Sequence, residues 1–129
     1  METEAIMKGN ALIAAFMGGE FERKPDHFEP DRYHETFTFI GGQGNWLMRN
    51  EKERCVYLTA QLQYHAQWDW IMPVYDKIRA FVAIMFSHER QYYQTAWLFM
   101  RRGLGDAKID ALWLAIVGFI NAYNIQKKP

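Results

Sequence analysis

The stretch FVAIMFSHERQYYQTAWLFM, residues 81–100, decides the fold. Its first six residues are continuously apolar, and such a run either prolongs a preceding helix or forms a buried strand. Its last ten, Gln91 to Met100, are rich in Tyr, Thr, Trp and Phe, which favour a pleated, half-buried surface. Between them lies the polar quartet Ser87-His88-Glu89-Arg90. The composition predicts a hairpin, with strands over 81–87 and 91–100.

On the N-terminal side the period is helical: Ile71, Tyr75, Ile78 and Val82 recur at spacings of three and four. The segment YHAQWDWIMPVYDKI (64–78) supplies the helix start. With Asp69 as the N-cap, Pro73 falls in the first turn or just past it, where a missing N–H costs least. Trp68 and Trp70 flank that cap, and His65 lies four residues before Asp69, within reach of a pair with it. A structural cap accounts for the segment better than an acid–base site, since no nucleophile or third ligand lies nearby in sequence.

On the C-terminal side RRGLGD (101–106) leads to a second helix. Asp106 is read as its N-cap, and Ile109, Leu112, Trp113, Ile116, Phe119, Ile120 and Tyr123 form its apolar stripe. Lys127 and Lys128 suit the negative end of its dipole.

Further upstream, Ile13, Phe16 and Met17 mark a short helix capped by Asn10 or beginning nearer Thr3, and Gly18-Gly19 supplies a left-handed stop. Residues 20–31 are polar with two prolines and read as a surface loop. ETFTF (35–39) alternates strictly, as a half-buried strand does. GGQGN (41–45) reads as a hairpin turn and WLMR continues beyond it; CVYLTAQL (55–62) alternates again. The order is helix, two or three strands, helix, two strands, helix. The prediction is a single α+β domain over 1–129, three helices packed on a small antiparallel sheet.

At 129 residues the chain is long enough to bury a core without staples, and its single cysteine, Cys55, excludes an internal disulfide framework. With no leader-like N-terminal segment, a reducing cytoplasm is the expected compartment. Fifteen basic residues balance fifteen acidic ones, which disfavours general nucleic-acid binding. The longest apolar run, Ala111 to Ile120, is about half of the ~20 residues a bilayer requires, so no membrane span is expected. Five Trp, nine Phe and seven Tyr are a large supply of rings for one small core, and the surplus predicts a homo-oligomer or a partner surface.

LIAAFMGG (12–19), LQYHAQWDWIMPVYDKI (62–78) and AKIDALWLAIVGFINAYN (107–124) together resemble a family of small α+β proteins from Bacteroidetes genomes, phages and prophages. That family carries a Phe-Met-Gly helix end, a Tyr-His-x-x-Trp-Asp-Trp-Leu-Met-Pro helix start and a C-terminal Lys-Ile-Glu-Ala helix in this order. Its layout is similar to phage sandwich domains that pack helices around a small sheet. The resemblance implies a fold and a mobile-element context, and it supplies no catalytic residue.

The best candidate for a small ligand is RRGLGD. Arg101 and Arg102, the flexible Gly103 and Gly105, and a helix N-terminus are the ingredients of an anion site. Asp106 opposes it, because a capping carboxylate occupies the donors a phosphate needs. Trp46, Trp68 and Trp97 are candidates to stack a ring, with His65 beside them. DHFEPDRYHE (26–35) collects His27, Glu29, Asp31, His34 and Glu35, yet their spacing matches no metal signature, so neither metal nor cofactor is implied.

Two functions compete. One is a non-enzymatic binding protein that sequesters or blocks a host component, an anionic nucleotide-like signal or a host protein. The other is a small hydrolase using His65 or His34 with a carboxylate and an activated water, since no Ser, Cys or Thr lies in a nucleophile setting. An oligomeric structural protein without a small ligand is the plain third case.

Overall fold

The computed structural model describes residues 2–40, 54–85 and 87–127. The chain falls into two compact units, residues 1–63 and 64–129. The class is α+β: the described residues form four helices and a three-stranded antiparallel sheet.

The first unit opens with α1 (Thr3–Phe16). Asn10 does not cap it but lies inside it, buried, where its Nδ2 donates to Leu62 O at 3.0 Å. Ile13, Ala14 and Met17 turn the helix toward the core. It ends as Gly18-Gly19 predict: Gly18 takes φ 90°, its N–H reaches Ala15 O, and the Gly19 N–H reaches Ala14 O. Gly19 is also fixed by space, because a Cβ there would sit 2.8 Å from the Phe39 ring.

The polar segment read as a loop instead contains a strand, β1 (Glu20–Pro25), every residue of which is exposed. Neither of its faces is buried, so no alternation marks it; pairing with β2 (Tyr33–Ile40) makes the strand. Its charges and Pro25 suit a sheet edge. Phe37 and Phe39 of β2 are buried, while Thr36 and Thr38 lie on the other face, as the alternation of ETFTF requires. β3 (Arg54–Leu58) pairs along the far side of β2 and stops earlier than the alternation of 55–62 suggests. There the chain tightens into a 3₁₀ turn (Thr59–Gln61), whose Gln61 Oε1 accepts the Leu58 N–H at 2.8 Å. GGQGN and WLMR lie outside the described residues.

The second unit is helical. α2 (Trp68–Ile84) begins two residues earlier than an Asp69 cap would place it, with Gln67 as the capping residue. Gln67 O receives the first amides, from Trp70 and Ile71, and Asp69 sits in the first turn, where a carboxylate favours the dipole. Pro73 therefore lies inside the helix and cannot supply the amide that Asp69 O would otherwise accept. Trp70 is buried edge-on against Tyr64, with centroids 5.2 Å apart.

The predicted second hairpin is not formed: α2 runs on to Ile84, and α3 (Ser87–Gly105) replaces the strand at 91–100. Tyr93 and Met100 are buried seven residues apart, with Trp97 half-buried between them. That is a helical stripe, and it overrides the strand preference of the individual side chains. α4 (Ile109–Lys127) buries Leu112, Trp113, Ile116, Phe119 and Ile120, as its stripe predicts. Ring contacts join the three helices of this unit: Tyr75 stacks on Trp97 at 5.7 Å, Phe81 meets Tyr123 at 5.6 Å, and Tyr93 meets Phe119 at 5.0 Å.

Candidate functional site

RRGLGD ends one helix and does not begin the next. Arg101 to Gly105 form the last turn of α3, and Asp106 follows that helix instead of capping α4. The turn is closed by its own backbone. The amides of Asp106, Ala107 and Lys108 donate to Arg102 O, Leu104 O and Gly103 O, and Ala107 holds φ 55°. These are the paired bonds of a helix-ending motif that usually places glycine where Ala107 stands. The turn's amides are thus committed, so an anion here must be met by side chains.

Gly103 has a different task from the flexibility assigned to it. It is buried, and a Cβ would lie 2.8 Å from Leu112 N, so it lets α3 and α4 approach backbone to backbone. Gly105 is exposed, with open space around its Cβ position.

The close approach opens outward into a cleft of about 500 Å³, with Phe99 and Arg102 on α3, Asp106 and Lys108 on the turn, and Ala111 and Leu114 on α4. Phe99 and Leu114 are 56% and 55% exposed and border the same cleft, the grouping of exposed apolar side chains that marks binding grooves. Among the described residues neither Arg102 nor Lys108 has an ion-pair partner. The first turn of α4 adds the positive end of its dipole. The cleft offers an apolar floor and two cations against one carboxylate, a balance of about one positive charge.

The other candidates are scattered. Arg101 is exposed but does not line the cleft. Trp97 is engaged in the stack on Tyr75, and Trp68, 37% exposed, is the first residue of α2. His65 lies in the turn before α2, where partial burial lowers its pKa by penalising the charged ring. Trp46 lies outside the described residues. Phe99, Lys108 and Leu114 are not legible as site residues in the sequence; the one usable signal is that Leu114 falls outside the apolar stripe of its own helix.

No family model, curated protein or solved structure matches this chain.

The acidic stretch 26–35 forms a second cluster, at the β1–β2 connection. Asp26 organises it: Oδ1 accepts the amides of Phe28 (2.7 Å) and Glu29 (3.2 Å), and Oδ2 accepts His34 Nε2 at 2.6 Å. The Phe28 amide, then His34, then the Glu29 amide hold its carboxyl below the ordinary value of 3.8. The Arg32 amide closes a turn onto Glu29 O across Pro30-Asp31, with proline at the position such turns favour. His34 also lines a cleft of about 740 Å³ with Arg23, Arg32, Tyr33 and Thr59, in which the Arg23 guanidinium lies 4.4 Å over the Tyr33 ring. The Thr59 hydroxyl is committed to Glu35 O at 3.2 Å. Among the described residues no group of His, Cys, Asp and Glu could hold a metal ion. No helix there is long and apolar enough to cross a membrane.

Proposed function

We propose that this chain is a non-enzymatic binding protein that sequesters a small anion carrying a ring or other apolar body, held in the α3–α4 cleft. One observation carries the reading: Arg102 and Lys108 border the same cleft as the half-exposed Phe99 and Leu114. Pockets of roughly 300–1,000 Å³, mostly apolar with a few placed charges, are the usual form of small-molecule sites, and about 500 Å³ falls within that range. Asp106 narrows the ligand class. One surplus positive charge suits a monoanion, such as the phosphodiester of a cyclic or linked nucleotide, better than a phosphomonoester dianion. The resemblance to phage and prophage proteins supports a role in removing such a signal from the host.

Calorimetric titration tests this with three probes: a cyclic nucleoside monophosphate, the matching 5′-monophosphate and the bare nucleoside. The diester binds tightest, at least tenfold above the nucleoside, and Arg102→Ala with Lys108→Ala abolishes that advantage. Asp106→Asn narrows the gap between monophosphate and diester. Equal, unmeasurable binding of all three probes would sink the reading.

A second reading, a water-activating hydrolase, is favoured by the 2.6 Å Asp26–His34 contact beside the larger cleft. An oriented imidazole can serve as a general base through its other nitrogen, Nδ1. Hydrolysis of a bis(p-nitrophenyl) phosphate probe that survives His34→Ala unchanged removes it.

A further inference from the structure

The β1–β2 connection is built to display one side chain. Phe28 stands at its apex and is 90% exposed, the most exposed large hydrophobic side chain among the described residues. The backbone beneath it is fixed by two amides on Asp26 Oδ1, by the Asp26 amide on Arg32 O at 2.7 Å and by the Arg32 amide on Glu29 O. His27 packs edge-on against the Phe28 ring, with centroids 6.1 Å apart. A flexible loop carrying an exposed ring is ordinary. A closed turn carrying one resembles an interface anchor, because the ordering cost of docking has already been met within the monomer.

The surroundings of the ring are acidic. Residues 26–32 carry Asp26, Glu29 and Asp31 against Arg32, which pairs with Glu29 at 3.6 Å, and this leaves a net of two negative charges. The cleft between α3 and α4 has the opposite character, with Arg102 and Lys108 around an apolar floor. It is also large enough: an apolar cavity of roughly 150 Å³ holds a benzene ring, and this cleft offers about 500 Å³. An aromatic anchor with an acidic rim and an apolar cleft with a basic rim thus occur on one chain.

We infer that these two surfaces are partners in self-association: Phe28 of one copy enters the α3–α4 cleft of a second copy, packing on Phe99 and Leu114, with Glu29 and Asp31 facing Arg102 and Lys108. The contact joins two different surfaces, so two copies exchange it reciprocally about a two-fold axis or pass it head to tail along a series of copies.

Sedimentation velocity of the full chain in ligand-free buffer, from low micromolar to several hundred micromolar, is the test. The wild type shows reversible, concentration-dependent association. Phe28→Asp and Leu114→Asp, both at exposed positions, each weaken it at least tenfold. An equimolar mixture of these two variants forms a heterodimer that neither forms alone, because one intact anchor meets one intact cleft. Glu29→Lys and Arg102→Glu each weaken association, and their combination in one chain restores it. A wild type that stays monomeric throughout, variants that associate as the wild type does, or a mixture that shows no heterodimer would each overturn the inference. None of these results decides the nucleotide titration, which is read at concentrations where the chain is monomeric.

Discussion

Asp26 is the residue on which most local structure converges, and its effect has a defined pH sense. Its carboxyl is held below 3.8 by the Phe28 amide, His34 and the Glu29 amide, so it strengthens the folded turn while ionised. A depressed folded value means that this stabilisation is complete above the unfolded pKa and is lost as pH falls through the folded one. The Phe28 and Glu29 amides are therefore expected to stay protected from hydrogen exchange above about pH 4 and to lose extra protection in more acidic solution. Asp26→Asn removes that step and leaves a flat profile over the same range. Ala107 is the residue-scale case of strain, with φ 55° at a helix end where glycine is at ease. A left-handed non-glycine residue costs roughly 1–2 kcal/mol, part of which glycine returns as entropy of the unfolded chain. Ala107→Gly is expected to stabilise the protein by about 0.5–1 kcal/mol, seen as a rise of a few degrees in Tm.

At the scale of elements, the α3–α4 pair shows how two glycines two residues apart differ. A methyl group on Gly103 meets the Leu112 backbone at 2.8 Å, and neither helix can yield without losing its register on the other. Gly103→Ala is expected to cost about 1–3 kcal/mol, the usual penalty for overpacking. Gly105→Ala adds a better helix former in open space and is expected to gain up to about 1 kcal/mol. Chemical denaturation of both variants checks the opposite signs. The stack of Tyr75 on Trp97 ties α2 to α3, and a double-mutant cycle on the pair is expected to return a coupling of about 0.5–1.5 kcal/mol. Legibility also divides at this scale. ETFTF and the stripe from Ile109 to Tyr123 could be read directly because each buries one face at a single period. β1 could not, because an edge strand exposed on both faces has no period to show. α3 is not legible from its Tyr, Thr, Trp and Phe as residue types, because their spacing on a helix decides which are buried.

At the scale of the whole molecule, the surplus of large rings foreseen from composition has a location: Phe21, Phe28, Tyr33, Trp68 and Phe99 are all substantially exposed. If Phe28 and an anionic ligand claim the same cleft, saturating cyclic nucleotide is expected to return the associated protein to monomer in the same sedimentation experiment. Raising salt from about 0.1 M to about 1 M shortens the screening length from about 10 Å to about 3 Å. Self-association is expected to weaken across that range without vanishing, since the Phe28 contact is apolar and only its rim is charged. By itself the sequence determined the α+β class, the Gly18-Gly19 stop and the core stripe of the last helix, because each rests on local geometry or on one periodic buried face. Only the tertiary structure decided that residues 87–105 are helix, that Gly103 is a packing position and that Arg102, Lys108, Phe99 and Leu114 share one cleft. The physical reason is that these depend on which segments meet, and side chains distant in sequence acquire a common environment only when the helices that carry them pack.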